Sequence, residues 1–431
     1  MKVAVAQVPP FYPSRPPFHP HVKYPEYEGE VSDSYNPAYE GLRKLFQYLG
    51  LDSENFGTSH WNPLKELVKP GDKVVIKPNW VIARENPEAT VTHPSVIRAL
   101  VDYVRLAGAS EILVADAPQY DCDWNKLMAI TGMRELIQWW KGSAKVLDLR
   151  NYWSPKFHWG SKLLPLPGDP SGEVLVDLGT HSYLETLEGL DRLYGAAPWT
   201  QETRHYHRKG KHQYILSRTL LEADVLILVP KLKTHKKVGL TLCAKNLVGV
   251  VTNKNTVPHF RIGIDQLAPW VPRWYRIFAL TEMLMYKTLL GRRTWWGDFL
   301  YKMFFGFWFK DLFQIKTHPH DRGNWWGNDT LWRAVRDLVT IIRHSKLRTF
   351  CVADAIVAGE GEGPLNPTPV PLGLLIGGFS LEAVDWIAST LVGFDPKKLR
   401  LEEPREKIEI VGDVPEEPFR LKPSSGWVGY L

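Results

Sequence analysis

The sequence predicts an α/β protein: a mixed, mostly parallel sheet flanked by helices, with a Trp-rich helical insert. Three observations carry this. Apolar runs of strand length alternate with helical stripes from residue 72 onward. The strand runs are apolar throughout rather than alternating, as expected where both faces are covered. Four of the strands also end in polar residues, as strands do when their carboxyl ends border a ligand cleft.

Residues 73–79, KVVIKPN, read as a buried strand ending at Pro78. The stretch THPSVIRALVDYVRLAGA reads as a helix. Pro94 suits its first turn, Ile97, Leu100, Val101 and Val104 form one stripe, and Gly108 suits the stop. EILVADAP follows as a second strand, so a parallel crossover unit is expected. Residues 124–150 supply another helix and strand. DVLILVPKLKTH reads as one strongly apolar strand and TLCAKNLVGVV as a short helix. NDTLWRAVRDLVTIIRHS reads as a helix with Asp329 as its N-cap. LRTFCVADAIVAG and PLGLLIGG are strands, and SLEAVDWIASTLVGF is a closing helix. Residues 1–69 read as a Pro- and aromatic-rich approach segment, with a first strand at 2–8 and a helix near 36–49. Residues 70–266 and 317–431 are assigned to a single α/β core. Residues 151–215 form an irregular excursion from it, and 267–316 an aromatic and basic helical insert.

Composition narrows the function classes. Lys and Arg number 53 against 47 Asp and Glu. Spread over 431 residues, that excess is too small for the concentrated basic face of a nucleic-acid binder. Cys122, Cys243 and Cys351 are far apart in sequence with no CxxC pair, so no iron–sulfur cluster and no disulfide framework are expected. The N-terminal MKVAVAQVPP does not read as a signal peptide. No apolar run reaches the roughly 18 residues of a membrane span, and a cytoplasmic location is expected.

The polar strand ends are Lys77 and Asn79; Asp116; Lys231, Lys233 and His235; and Asp354, which precedes the glycine-rich GEGEGP. The lysines, with Lys245 on the following helix, suit a phosphate or carboxylate. Asp116, Asp354, Glu360 and Glu362 suit a divalent ion, or hold the lysines in place. A lysine of depressed proton affinity also serves as base or nucleophile. Lys233, His235 and Asp354 are therefore the candidate catalytic residues, and Lys77, Asn79, Lys231, Lys245, Asn246 and His259 the candidate substrate-binding set. Asp116, Asp354 and Glu362 are the candidate metal ligands, with Asn328, Asp329 and Asp385 in support. Asp385 shares a helix face with Leu381 and Ala388, which turns its carboxylate inward, where it needs a partner. Plain alternatives stand beside these. The KLKTHKK run also reads as a solvated basic turn, His235 as a structural histidine, and Asp116 as a cap. The loop Gly359–Gly363 matches neither nucleotide-binding glycine motif.

Several segments together resemble the family called domain of unknown function 362. They are VVIKPNW with THPSVIRALVDYVRLAGA, DAPQYDCDWNKL, VPKLKTHKKVGLTLCAKNLVGVV with Lys254 and His259, RGNWWGNDTLWRAVRDL, VADAIVAGEGEGP and AVDWIASTLVGFDP. The resemblance implies one site built from Lys77, Asn79, Asp116, Lys233, His235, Lys245, Asn246 and Asp354, and supplies no reaction. Some members carry a ferredoxin-like cluster domain, whose cysteines are absent here. A fainter likeness, of fold only, is to the N-terminal domain of nickel-pincer lactate racemases.

The leading expectation is an enzyme acting on a small anionic metabolite, phosphorylated or a carboxylate, with a divalent metal as an option. The second is a peripheral membrane or surface-polymer biosynthesis accessory protein, docking through residues 270–310. There Trp270, Trp274, Trp295, Trp296, Phe304, Phe305, Trp308 and Phe309 interleave with basic residues. A nucleic-acid binder ranks last, and the surface tryptophans are compatible with an oligomer.

Overall fold

The computed structural model describes residues 1–155, 163–195, 200–288 and 319–431. Its strands are β1 (Lys2–Gln7), β2 (Lys73–Pro78), β3 (Glu111–Asp116), β4 (Lys145–Asp148), β5 (Val225–Val229), β6 (Lys231–His235), β7 (Gly239–Thr241), β8 (Arg348–Glu360), β9 (Thr368–Gly378) and β10 (Glu409–Gly412). The helices used below are α1 (Pro37–Tyr48), α2 (Pro94–Leu106), α3 (Cys243–Asn246), α4 (Arg273–Thr288), α5 (Leu331–Arg343) and α6 (Leu381–Leu391).

One ten-stranded sheet runs β10-β1-β9-β8-β5-β2-β3-β4, with the β6–β7 hairpin attached to β8. The pairings β8–β5, β5–β2, β2–β3, β3–β4, β6–β8 and β1–β10 are parallel. Those of β9 with β8 and β1, and of β6 with β7, are antiparallel. The mixed, mostly parallel sheet expected from the sequence is therefore present.

Alternation along the strands sorts side chains to two faces. Val74, Ile76, Ile227 and Val229 pack with Leu42, Phe46, Ile97 and Leu100 of α1 and α2. Val75, Leu226, Leu228, Ala353 and Ile376 pack with Leu247, Leu338, Val384 and Ala388 on the opposite face, under α5 and α6. β5, every residue of which is buried, lies between β8 and β2 at the centre. Pro94 opens α2 and Gly108, at φ +90°, follows its end, as the sequence indicates.

Four details depart from the sequence reading. DVLILVPKLKTH is two strands: Pro230 lacks the N–H that would continue the ladder, and the chain leaves β5 to pair along the later half of β8 as β6. β1 is no peripheral approach, since it lies inside the sheet between β9 and β10. The excursion contains its own antiparallel sheet, Glu173–Asp177 against Lys211–Ser217. It is pinned to α5 by buried Asp337, which accepts from Ser182 Oγ and Tyr214 OH. Asp329 is not the cap of α5. Asn328 Oδ1 accepts from the N–H groups of Thr330 and Leu331, and Asp329 instead pairs with Arg261 at 2.6 Å. Of the insert, α4 lies among the described residues; Trp295, Trp296, Phe304, Phe305, Trp308 and Phe309 lie outside them.

Because β5 is buried on both faces, Ile227→Ala is expected to cost about 2–5 kcal/mol. Leu175→Ala, at an exposed position of the small sheet, should stay within about 0.5 kcal/mol of the parent. Urea denaturation midpoints of the two variants check this.

Candidate active site

The site begins with a buried ion pair. Lys77 follows Val75 on the α3-facing side of β2 and has no exposed surface. Its Nζ donates to Asp116 Oδ1 at 2.9 Å, Asn246 Oδ1 at 2.8 Å and Pro78 O at 3.0 Å. Asp116 Oδ2 accepts from the Trp80 N–H at 2.7 Å. Asn246 Nδ2 returns a bond to Lys77 O at 3.2 Å. All three ammonium protons thus have acceptors, which a charge removed from water requires. Burial lowers the proton affinity of Lys77, and Asp116 works against that shift. Gly249 rests directly on the pair: a Cβ there would strike Asp116 Oδ1 and Lys77 Nζ.

A second buried pair lies behind the site. Lys231 Nζ meets Asp354 Oδ2 at 3.1 Å. The Tyr12 hydroxyl donates to Asp354 Oδ1 and accepts from Lys231 Nζ, each at 2.5 Å. The His93 N–H donates to Asp354 Oδ2 at 3.0 Å, and the His93 ring stacks on Tyr12 with centroids 4.0 Å apart.

Between these pairs and the surface lies a cavity of about 370 Å³, lined by the carboxyl ends of β2, β3 and β6, by α3 and by the turn that carries Lys254 and His259. The β6–β7 hairpin presents Lys233, His235 and Thr241 to it. Lys233 stands opposite Thr241 and His235 opposite Gly239, so the three share one face, while Leu232 and Leu240 turn to the core. Lys245 and Asn246 enter from α3, whose first N–H groups, on Cys243 and Ala244, donate to Asp385 at 2.7 and 2.9 Å. Asn328 holds the other wall by donating to His259 O at 3.0 Å.

Cations dominate this lining. Among the described residues, Lys233 Nζ donates only to Thr90 O, and Lys254 Nζ only to Val248 O. Lys237 Nζ donates to Arg322 O. Lys245 Nζ has neither an acceptor nor a carboxylate partner among the described residues. The lining carboxylates are already engaged, Asp116 by Lys77 and Glu362 by Lys236 at 2.8 Å. Burial, then the neighbouring Lys231 and Lys245, push Lys233 well below the ordinary lysine range. Burial, then Lys77, brings Lys245 down to about 8. Burial, then Arg322, brings Lys237 to about 7. His235 is pushed well down by burial and by Lys245, and His259 to about 3 by the same two causes, so both rings are neutral at pH 7.

Of the residues singled out from sequence, Asn79, Asp116, Lys233, His235, Lys245, Asn246, His259 and Glu362 line this one cavity, with Lys77 against its floor. Lys231 and Asp354 do not line it; they neutralise each other behind the wall. Asp385, Asn328 and Asp329 hold backbone or arginine. The proposed metal set Asp116, Asp354 and Glu362 does not fit an ion. Each carboxylate is committed to a different lysine, and no cluster of three His, Cys, Asp or Glu occurs among the described residues. Lys237, Thr241 and Gly249 were missed as site residues. Continuing the alternation of Lys233 and His235 points to Lys237. Thr241 depends on hairpin register and Gly249 on a close approach, and neither is written locally.

The family model for the Domain of unknown function (DUF362) matches residues 74–162 and 168–390. The chain belongs to this family. Every residue lining the cavity falls within the DUF362 match, whereas Tyr12 falls outside it. A relative, Thylakoid-associated protein sll1697 of Synechocystis sp. (strain ATCC 27184 / PCC 6803 / Kazusa), is 20% identical over 355 residues, covering 82% of this chain and 74% of its own. A crystal structure of a Thermotoga maritima protein aligns with a TM-score of 0.35 and 12% identity. The alignment covers 79% of this chain and 55% of that one.

Removing one member of the buried pair strands the other. Lys77→Met alone is expected to cost about 3–5 kcal/mol, and adding Asp116→Asn should recover much of that loss. Chemical denaturation of the two single variants and the double variant measures the coupling.

Proposed function

We propose that this DUF362 protein is an enzyme acting on a small anionic metabolite, a phosphorylated compound or a carboxylate, bound in the lysine-lined cavity. One observation carries the reading: Lys233, Lys245 and Lys254 are drawn from water into one cavity with no carboxylate of their own. Burial without counter-charge makes these amines costly to ionise, and an anionic ligand supplies the missing charge. The volume lies near the lower end for small-molecule pockets. Lys245 near 8 and Lys237 near 7 exchange protons close to physiological pH, which favours chemistry over simple binding.

Lys233→Met tests this, because function and stability should move oppositely. Inorganic phosphate affinity, read by calorimetric titration, should fall about tenfold or more. The denaturation midpoint should rise, since a fully buried amine without a counter-charge gives way to an apolar side chain of similar length. Retained phosphate affinity with lost stability would overturn the reading.

The pH dependence has a definite sign. Lys245 holds its proton more weakly folded, at about 8, than at its ordinary 10.5. The unfolded chain therefore binds more protons in that window, and stability rises with pH across it. Phosphate binding needs the charged form, so affinity should fall as pH rises through about 8. Parallel titrations and melts across the window check both slopes.

A second reading, docking on an anionic membrane surface, is favoured by α4 and its approach. Trp274 and Ile277 are 57% and 68% exposed, and Trp270 and Leu284 are exposed at helical spacing with them, beside exposed Arg273. The sequence that follows, 289–318, adds Trp295, Trp296 and Trp308 with five Lys or Arg against two Asp. No helix among the described residues is long and apolar enough to cross a membrane. The Synechocystis relative is named for its association with thylakoids, which are membranes. Flotation with phosphatidylglycerol vesicles should carry the protein upward. Trp274→Ser with Ile277→Ser should abolish this, and an unchanged double variant would refute it.

A further inference from the structure

The cavity also holds acceptors that an anion cannot satisfy. His259 Nδ1 lies 2.8 Å from Val257 O, and a carbonyl only accepts, so Nδ1 carries the proton. Nε2 of this neutral ring is then a bare lone pair. His235 has the opposite tautomer: its Nδ1 accepts from the Lys237 N–H at 3.1 Å, which leaves Nε2–H as a donor. Asn79 adds a second acceptor. Asn246 Oδ1 is fixed toward Lys77 Nζ, and Asn79 Nδ2 donates to that oxygen at 3.4 Å. Asn79 Oδ1 is thereby turned away, buried and without a partner. The hydroxyl of Thr241, also buried, has no partner either. Asn79 Oδ1 and Thr241 Oγ1 each cost stability without a partner, and buried polar groups left so are uncommon.

From this we infer that the ligand is a hydroxylated anion, a polyol phosphate or a hydroxy acid, rather than a bare phosphate or simple carboxylate. This rests on the anion-site reading and narrows it. The charged end meets Lys233, Lys245 and His235 Nε2–H. Hydroxyl groups donate to His259 Nε2 and Asn79 Oδ1, and Thr241 completes the polar ring. A fully ionised anion offers acceptors alone and would leave both bare acceptors unmatched. His259 and Asn79 are thus specificity residues that read hydroxyl donors, while the lysines read charge.

Matched ligands test it without any variant. Glycerol phosphate and propyl phosphate have the same charge and chain length, and only the first carries hydroxyls; glycerate and propionate form a second pair. Calorimetric titration should show the hydroxylated member of one pair binding about tenfold or more tighter. Asn79→Ala and His259→Phe should each reduce that ratio toward unity. Equal binding of both members overturns the hydroxyl inference alone. Failure of both pairs to bind overturns the anion site as well.

Discussion

The site depends on the ion pair between Lys77 and Asp116. Two charges removed from water are tolerated only when every proton and lone pair is matched, and here the matching groups come from separate elements. Lys77 comes from β2, Asp116 from β3, and Asn246 from α3. Satisfying one charge therefore sets the distance between two strand ends and the helix above them. Lys245 is adjacent to Asn246, so the same contact aims the least encumbered ammonium of the cavity. Asp385 reinforces it from α6 by holding the first N–H groups of α3, and burial raises its own carboxyl to about 7. The Lys231–Asp354 pair repeats the arrangement one layer back, with Tyr12 and His93 closing it.

The cavity contrasts with this floor. Below, cations and carboxylates are matched one to one; above, lysines outnumber carboxylates that remain available. Removing one charge of the floor strands its partner, whereas the lining keeps amines without a carboxylate of their own, on which the proposed anion site rests.

Much of this was legible in the sequence because strand ends obey few rules. Once KVVIKP, EILVAD and VLILV are read as parallel strands, Lys77, Asn79, Asp116, Lys233 and His235 must gather at one end of the sheet. Asp354 escaped the rule because β8 continues to Glu360, so the residue sits within its strand, facing Lys231 rather than a ligand. Pro230 was the local sign that DVLILVPKLKTH breaks, and its placement inside an apolar run masked it. Tyr12 and His93 had no local sign at all, since their roles come from contacts with residues hundreds of positions away. Asn328 rather than Asp329 accepts from the N–H groups at the start of α5, a distinction of one residue that backbone geometry decides.

The place of β1 has a consequence for biogenesis. It precedes the other described strands in the chain, yet its partners are β9 and β10, which end at Gly378 and Gly412. During synthesis its apolar run, Val3 to Ala6, leaves the ribosome with no edge to join. The β2–β3 crossover can assemble from nearby chain, but the flank of the sheet that includes β1 waits until Gly378 and Gly412 have been made. Until those partners are made the nascent chain carries an unpaired strand, an exposed edge of the kind that invites pairing with other chains.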